Sequence, residues 1–284
     1  MNLIHTKVKS TKQRPPKIFL AIHPLDEPSY RRKTSGKVTV PWNTSTGHRR
    51  KFIGRKGQYL SSNVPAEAKL YFWGEYEPET EATIISRYRP RAVHDVLKPV
   101  RGMSPIPSGA QNTDPYVFGE HFKNVCCWTG RRRYVPGDMI MFGAVRRYDS
   151  KRKVAYFVLD TVIIVKDKPS VNHALNTTQF YKACIEPLGG RKEYFYRGKN
   201  FKPGSKYYSY VPCLLDYSKL VALKSRDPLD TAPIIDLTAM GFTVKWHGRY
   251  WSAGSIPFTH ARWQYVQDEI IRQGWNIGVH INKI

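Results

Sequence analysis

Residues 109–122, GAQNTDPYVFGEHF, bring carboxylates, an imidazole, an amide and aromatic rings into one short stretch without regular apolar periodicity. Asp114 precedes a proline, so its backbone favours an extended conformation that holds the carboxylate outward. Tyr116 and Phe118 can form an apolar wall, and Asn112 offers both hydrogen-bond donors and an acceptor. Mixed chemistry of this kind in a loop is typical of a binding or catalytic site.

Three further groups of residues can carry out acid–base chemistry or bind a polar ligand. Glu120 is followed by His121, an imidazole that can serve as an acid, a base or an anion contact. Asp160 interrupts the apolar run VAYFVLDTVIIV, where an unpaired charge would be costly, so it is either paired structurally or directed into a site. The third group lies at the end of a predicted strand and comprises Trp73, Glu75 and Tyr76.

Positive charge dominates the 284-residue chain, with 46 Lys and Arg against 22 Asp and Glu and a formal net charge of +24. Such an excess favours a polyanionic partner, and phosphate backbones bind such surfaces by releasing counterions. A generally basic protein without a nucleic-acid role is the alternative. The residues predicted to contact a sugar–phosphate backbone are Arg49, Arg50, Lys51, Arg131, Arg132, Arg133, Arg146 and Arg147.

The tetrapeptide Thr113-Asp114-Pro115-Tyr116 resembles the water-activating loop of the uracil-DNA glycosylase superfamily, where Gln-Asp-Pro-Tyr follows a strand. It departs from that pattern in having Thr113 for glutamine and Val117 for the next histidine. The resemblance implies cleavage of an N-glycosidic bond without a cofactor.

Two other resemblances concern modified nucleobases. Residues 112–122, with the runs GDMIMFG and FVLDTVIIV, resemble bacterial proteins of nucleotide-modification and antiphage systems. The PGDMIMFG strand and the Tyr-rich YFYRGKNF and YSYVPC runs resemble PUA-type readers of modified bases. Two hypotheses follow: a monofunctional DNA glycosylase that excises a modified base in antiviral defence, and a non-catalytic reader of modified bases in DNA or RNA. The expected partner is double-stranded DNA with modified bases.

Excision of a base needs a carboxylate near the sugar, where positive charge develops, and a pocket for the base extruded from the helix. The candidate catalytic residues are Asp114, Glu120, His121 and Asp160. The candidate base-binding residues are Asn112, Tyr116, Phe118, Trp73, Glu75 and Tyr76.

Several classes of protein are excluded by the absence of their motifs. The sequence has no GxxxxGK[ST] phosphate loop, no dinucleotide-binding GxGxxG after a strand and no HExxH metal site. The four cysteines, at 126, 127, 184 and 213, lack both zinc-site and disulfide spacing. We therefore expect no metal and no cofactor. Without an apolar membrane span or a secretory h-region, we expect a cytoplasmic protein.

The elements that must position these residues predict an α+β fold with a mixed or largely antiparallel central sheet and helices concentrated toward the C-terminus. We expect one domain over residues 1–284, with a basic N-terminal arm over 1–60. Predicted strands cover 17–23, 68–76, a hairpin over 136–165, a Tyr-rich stretch over 194–211 and a hairpin over 242–251. Predicted helices cover 172–188, 216–223, 234–240 and a segment from Thr259 to Gly274, and predicted loops cover 34–59 and 91–115.

Overall fold

The computed structural model describes residues 13–22, 27, 36–40, 50–76, 80–96, 115–124, 134–149, 151, 154–167, 195–223, 231–247 and 251–284. The strands are β1 (Lys17–Ile22), β2 (Lys37–Val40), β3 (Lys51–Ser61), β4 (Val64–Gly74), β5 (Thr80–Ile84), β6 (Ala92–Val96), β7 (Lys123–Asn124), β8 (Met139–Asp149), β9 (Val154–Ile164), β10 (Tyr196–Arg197), β11 (Val211–Cys213), β12 (Ile234–Asp236), β13 (Val244–Trp246), β14 (Trp251–Ala253), β15 (Ile256–Pro257) and β16 (Asn276–Ile281). The helices are α1 (Ser218–Ala222) and α2 (His260–Arg272).

A five-stranded mixed sheet has the order β12-β9-β8-β1-β15. Its centre is the β8–β9 hairpin, which confirms the hairpin predicted over residues 136–165. β1 runs parallel to β8, whereas β12 and β15 pair antiparallel with their neighbours. The continuous apolar runs of β8 and β9 fit strands that are covered on both faces.

A seven-stranded sheet has the order β11-β16-β3-β6-β5-β2, with β4 also paired to β3. The β3–β4 hairpin is its longest element, with eleven paired positions from Lys51↔Gly74 to Ser61↔Val64. β16 adds the C-terminal residues along the side of β3, so that residues distant in sequence meet in the middle of the sheet.

Helix α2 packs through an apolar stripe of Trp263, Val266 and Ile270, all of them buried. The side chain of Thr259 accepts a hydrogen bond from the backbone N–H of Arg262 and so caps the first turn. The predicted helix from Thr259 to Gly274 is therefore confirmed, and the apolar stripe belongs to the core.

Two groups of buried apolar residues form the core on the two faces of the β3–β4 hairpin. One includes Phe52, Trp73 and Trp263, and the other includes Ile53 and Phe72. Alternate residues of β3 face alternate groups, as the period of a strand requires. The structure is rich in strands with a helix near its C-terminal end, so the predicted α+β class is confirmed.

Three predictions of local structure were wrong. The predicted basic loop over residues 34–59 contains β2 and most of β3, and the predicted loop over 91–115 begins with β6. The predicted helix over 234–240 is instead the short strand β12 followed by a turn, because its apolar residues pair with β9. The N-terminal arm over residues 1–60 thus supplies strands to both sheets.

Other predicted elements have mixed outcomes. The strands at 17–23 and 68–76, the hairpin over 242–251 and the short helix at 216–223 are confirmed as β1, β4, β13–β14 and α1. The Tyr-rich stretch 194–211 is strand only in β10 and at the start of β11. The predicted helix over 172–188 lies outside the described residues.

Gly143 in β8 marks the closest approach of the hairpin strands. A Cβ atom at this position would lie 2.1 Å from the carbonyl oxygen of Val158 and 2.7 Å from the ring of Phe157. Because neither a paired backbone nor a buried ring can move freely, only glycine fits.

We expect Gly143→Ala to lower the free energy of unfolding by about 1–3 kcal/mol, the usual cost of overpacking a core. Urea denaturation followed by circular dichroism measures this loss. Gly254→Ala is the matched control, since a Cβ there meets no atom within 4 Å. Equal stability of the two variants would contradict the steric explanation.

Candidate functional site: a buried ionic cluster between the sheets

An ion pair joins the two sheets in the interior. Arg50, which immediately precedes β3, contacts the Oδ2 atom of Asp160 in β9 through its Nη1 atom. Both side chains are fully buried, with residue exposures of 0% for Arg50 and 1% for Asp160. From the sequence, Asp160 was either paired structurally or directed into a site. The structure shows that it is paired.

A β-bulge places Asp160 at this position. Thr161 pairs with Phe142 across the hairpin, whereas Leu159 pairs with the next residue of β8, Gly143. Asp160 is the extra residue between these pairs. Bulges interrupt the alternation of a strand and re-aim a side chain, and they are frequent next to active sites.

A second bulge in the same hairpin involves Arg146. Val145 pairs with Phe157 and Arg147 pairs with Tyr156, so Arg146 is the extra residue on β8. Its charge interacts with Asp160, and its Nε atom is buried. Both extra residues of the hairpin thus contribute opposite charges to one cluster.

Glu75 completes the cluster from the end of the β3–β4 hairpin. The ladder ends at Lys51↔Gly74, which makes Arg50 and Glu75 the next cross-strand positions outward. Glu75 is 1% exposed, and its charge interacts with Asp160. We call Arg50, Glu75, Arg146 and Asp160 the ionic cluster.

Within the ionic cluster, the pKa of Asp160 is raised from 3.8 to about 7. Burial is the largest cause, because it disfavours the charged carboxylate. The positive charges of Arg50 and Arg146 lower this pKa, and the neighbouring Glu75 raises it. Asp160 can therefore exchange a proton near neutral pH, as a general acid or base requires.

The guanidinium of Arg50 also keeps hydrogen-bonding capacity. Within the described residues, its buried Nε and Nη2 atoms have no hydrogen-bond partner. The hydroxyl of Thr161, beside Asp160, is in the same situation. Buried donors without partners are rare, and each costs free energy unless a ligand or water satisfies it.

Most of the aromatic residues predicted to bind a base belong to the core instead. Tyr76 and Tyr116 both contact the ring of Phe118 edge-on, with centroid distances of 5.2 and 5.4 Å. Trp73 packs on Phe52, and its indole N–H donates to the carbonyl oxygen of Thr231 at 2.7 Å. These four predicted residues are buried, so their faces are not open to a base in this structure.

Glu120 and His121 lie away from the core. Glu120 is exposed, and the Nδ1 atom of half-buried His121 donates to the carbonyl oxygen of Gly198 at 3.2 Å. Burial lowers the pKa of His121, and the positive charge of Lys166 lowers it further, while its hydrogen bonds and the charge of Glu120 raise it. The side chain of Asn200 is a further hydrogen-bond partner of this ring.

The predicted contacts to a phosphate backbone need correction at two positions. Arg50 and Lys51 are buried at the start of β3, which withdraws them from any surface. Arg146 is half-buried in the ionic cluster. The remaining predicted site residues lie outside the part of the chain that the structure describes: Asn112, Asp114, Arg49, Arg131, Arg132, Arg133 and the side chain of Arg147.

Sequence analysis missed a second buried polar group. The Oγ1 atom of Thr80 and the Nδ1 atom of His94 are hydrogen-bonded at 2.7 Å, and both residues are fully buried. Burial lowers the pKa of His94 to about 3, with a smaller contribution from Lys51, so the imidazole is neutral. An isolated histidine within a short strand carries no sequence signal for this arrangement.

Comparison with known proteins gives no information on the function of this chain. No protein-family model matches the chain, and neither the curated proteins nor the solved structures give a match. The described residues contain no group of three His, Cys, Asp or Glu side chains that could hold a metal ion. Among those residues, no helix has the length and apolarity to cross a membrane.

Because the folded-state pKa of Asp160 is raised above its ordinary value, the folded protein binds this proton more tightly than the unfolded chain. The stabilisation from this proton is complete below about pH 4 and is lost as the pH rises through about 7. We expect the difference in unfolding free energy between the wild type and Asp160→Asn to fall across this range.

Denaturant titrations at several pH values measure this difference. Glu27, whose pKa is also raised to about 7 by burial, titrates in both proteins, so its contribution cancels. A difference that stays constant with pH would show that Asp160 keeps an ordinary pKa.

Proposed function

We propose that the protein binds nucleic acid and cleaves the N-glycosidic bond of a modified base at the ionic cluster. The observation that carries this proposal is the convergence of two carboxylates, Glu75 and Asp160, with two guanidiniums, Arg50 and Arg146. Bulges of the β8–β9 hairpin place Asp160 and Arg146, and the end of the β3–β4 hairpin places the other two. Sites that break glycosidic bonds commonly use two carboxyl groups in different protonation states.

The proposed chemistry divides the two carboxyl groups by role. Asp160, which exchanges its proton near pH 7, donates it to the departing base as the bond between the base nitrogen and C1′ breaks. Glu75 stabilises the positive charge on the sugar and accepts a proton from the water whose oxygen bonds to C1′. The products are the free base and an abasic sugar.

The two arginines have a separate role in this proposal. Arg50 has buried donors without a partner among the described residues, and Arg146 adds a second positive charge. Planar guanidiniums bind phosphate oxygens through paired hydrogen bonds. We assign Arg146, which is half-buried, to a phosphate group that flanks the target nucleotide, and buried Arg50 to holding Asp160 in place.

The proposed partner is double-stranded DNA that carries modified bases, bound in the cytoplasm, and antiviral defence is the proposed role. The net charge of +24 supports a polyanionic partner. The chemistry uses only carboxyl groups and water, so the proposal includes no cofactor.

A second candidate function is a reader that binds a modified base without cleaving it. The full burial of both carboxylates favours this candidate, because a buried pair of opposite charges can fix the structure of a protein without taking part in a reaction. The two functions differ in their products: a glycosylase releases free base, and a reader returns the nucleic acid intact.

Incubation with phage genomic DNA that carries modified bases tests the catalytic proposal. We expect mass spectrometry to detect released base and the DNA to gain abasic sites. Asp160→Asn and Glu75→Gln should each reduce the rate by at least about a hundredfold, the usual contribution of a general acid or base.

Asp268→Asn is the matched control, since Asp268 is exposed on α2 and bonds only locally to Gln264. It should keep the wild-type rate. Asp114→Asn tests the carboxylate identified from the sequence alone. Absence of released base from every modified genome, with the DNA bound and recovered intact, would reject the glycosylase and support the reader.

Binding itself should depend steeply on salt. If the protein neutralises about six phosphates, its affinity for duplex DNA should fall about a thousandfold between about 50 mM and 200 mM NaCl. Fluorescence anisotropy of a labelled duplex measures this slope. An affinity that does not change with salt would contradict binding through the positive charge.

A further inference from the structure

A surface cleft of about 280 Å³ lies at the far end of the β3–β4 hairpin from the ionic cluster. Its lining includes Gln58, Asn200, Phe201, Lys202 and His280. The cleft therefore combines an aromatic ring, two amides, an imidazole and an ammonium group. Its volume lies just below the usual range for pockets that bind drug-sized ligands, so it suits a small planar group.

The loop that carries three of these residues is held in one conformation by its own hydrogen bonds. The backbone N–H of Lys202 donates to the Ser205 hydroxyl at 3.0 Å, and the N–H of Ser205 donates back to the Lys202 carbonyl oxygen at 2.8 Å. The ring of Phe201 contacts Tyr208 edge-on at 4.9 Å. The aromatic wall of the cleft is thus positioned before any ligand binds.

The polar groups of the cleft suit both the edge of a base and a phosphate. Gln58 and Asn200 each carry amide donors and an acceptor of the kind that base edges require, and the Asn200 side chain also hydrogen-bonds to the ring of His121. Burial and the charge of Lys283 lower the pKa of His280, while Glu67 raises it. Lys202 and Lys283 are exposed cations beside this group.

The cleft and the ionic cluster are separate sites. Gln58 lies eight residues beyond Arg50 along extended β3, which corresponds to about 26 Å at the usual rise per strand residue. A single nucleotide cannot reach both, whereas a strand of several nucleotides can.

We propose that this cleft binds one unpaired nucleobase of a single strand, stacked on Phe201, with its edge read by the two amides and its phosphate near Lys202. Stacking on an aromatic ring beside cations is the common way in which proteins hold unpaired nucleotides. The inference rests on the proposed association with nucleic acid and does not depend on glycosidic cleavage.

Fluorescence anisotropy with a short labelled single-stranded DNA tests the cleft. We expect Phe201→Ala to lower the affinity about tenfold, as the loss of one stacked base does. The same variant should not change the affinity for a strand of equal length built from abasic residues. An RNA strand of the same sequence shows whether the site discriminates the sugar.

Asn200→Ala removes an amide but no packed ring, and it should also weaken binding. It therefore tests the cleft even if Phe201→Ala fails to fold. Trp246→Ala is the matched aromatic control, because Trp246 is 53% exposed on β13, outside the lining of the cleft. Equal losses in Phe201→Ala and Trp246→Ala, or wild-type affinity in both cleft variants, would overturn the proposal.

The outcomes for the two sites are distinguishable. Wild-type protein that releases no base but binds single strands in a Phe201-dependent way rejects the glycosylase and supports the cleft. Base release with cleft variants that bind like the wild type rejects the cleft alone.

Discussion

The burial of opposite charges between the two sheets is the constraint on which the interior depends. Arg50 and Asp160 come from different sheets, and removal of either would leave an uncompensated charge in the protein interior. A buried ion pair adds little stability compared with apolar residues of similar size. Carboxyl groups whose pKa is raised by burial occur both at functional sites and in structural ion-pair networks.

Hydrophobic patterning was sufficient to predict the long apolar strands β8 and β9 and the helix α2. The apolar runs of β8 and β9 and the capped stripe of α2 are strong local signals, and the structure contains both. β3 was missed because its sequence, KFIGRKGQYLS, mixes lysines, arginine and glycines that local propensity assigns to a loop. Pairing with β4 and β16 on either side overrides that propensity, as tertiary context commonly does for strands.

The candidate site was predicted in part. Asp160 was recognised because a charge within an apolar strand needs an explanation, and Glu75 because it lies beside a tryptophan at a strand end. Their convergence depends on two bulges and on pairing between sheets, which no local pattern encodes. Arg50 and Lys51 were misjudged for the same reason, since a basic run such as Arg49-Arg50-Lys51 is equally typical of a surface and of the start of a buried strand.

The position of β16 has a consequence for synthesis of the chain. This strand lies between β11 and β3, so the sheet lacks an interior member until residue 281 has left the ribosome. Before that point, the part of β3 that later pairs with β16, residues 57–59, has exposed backbone donors and acceptors, which can template pairing with other chains. Folding of the nascent polypeptide is therefore dominated by contacts distant in sequence, a topology that favours slow folding and gives chaperones time to act.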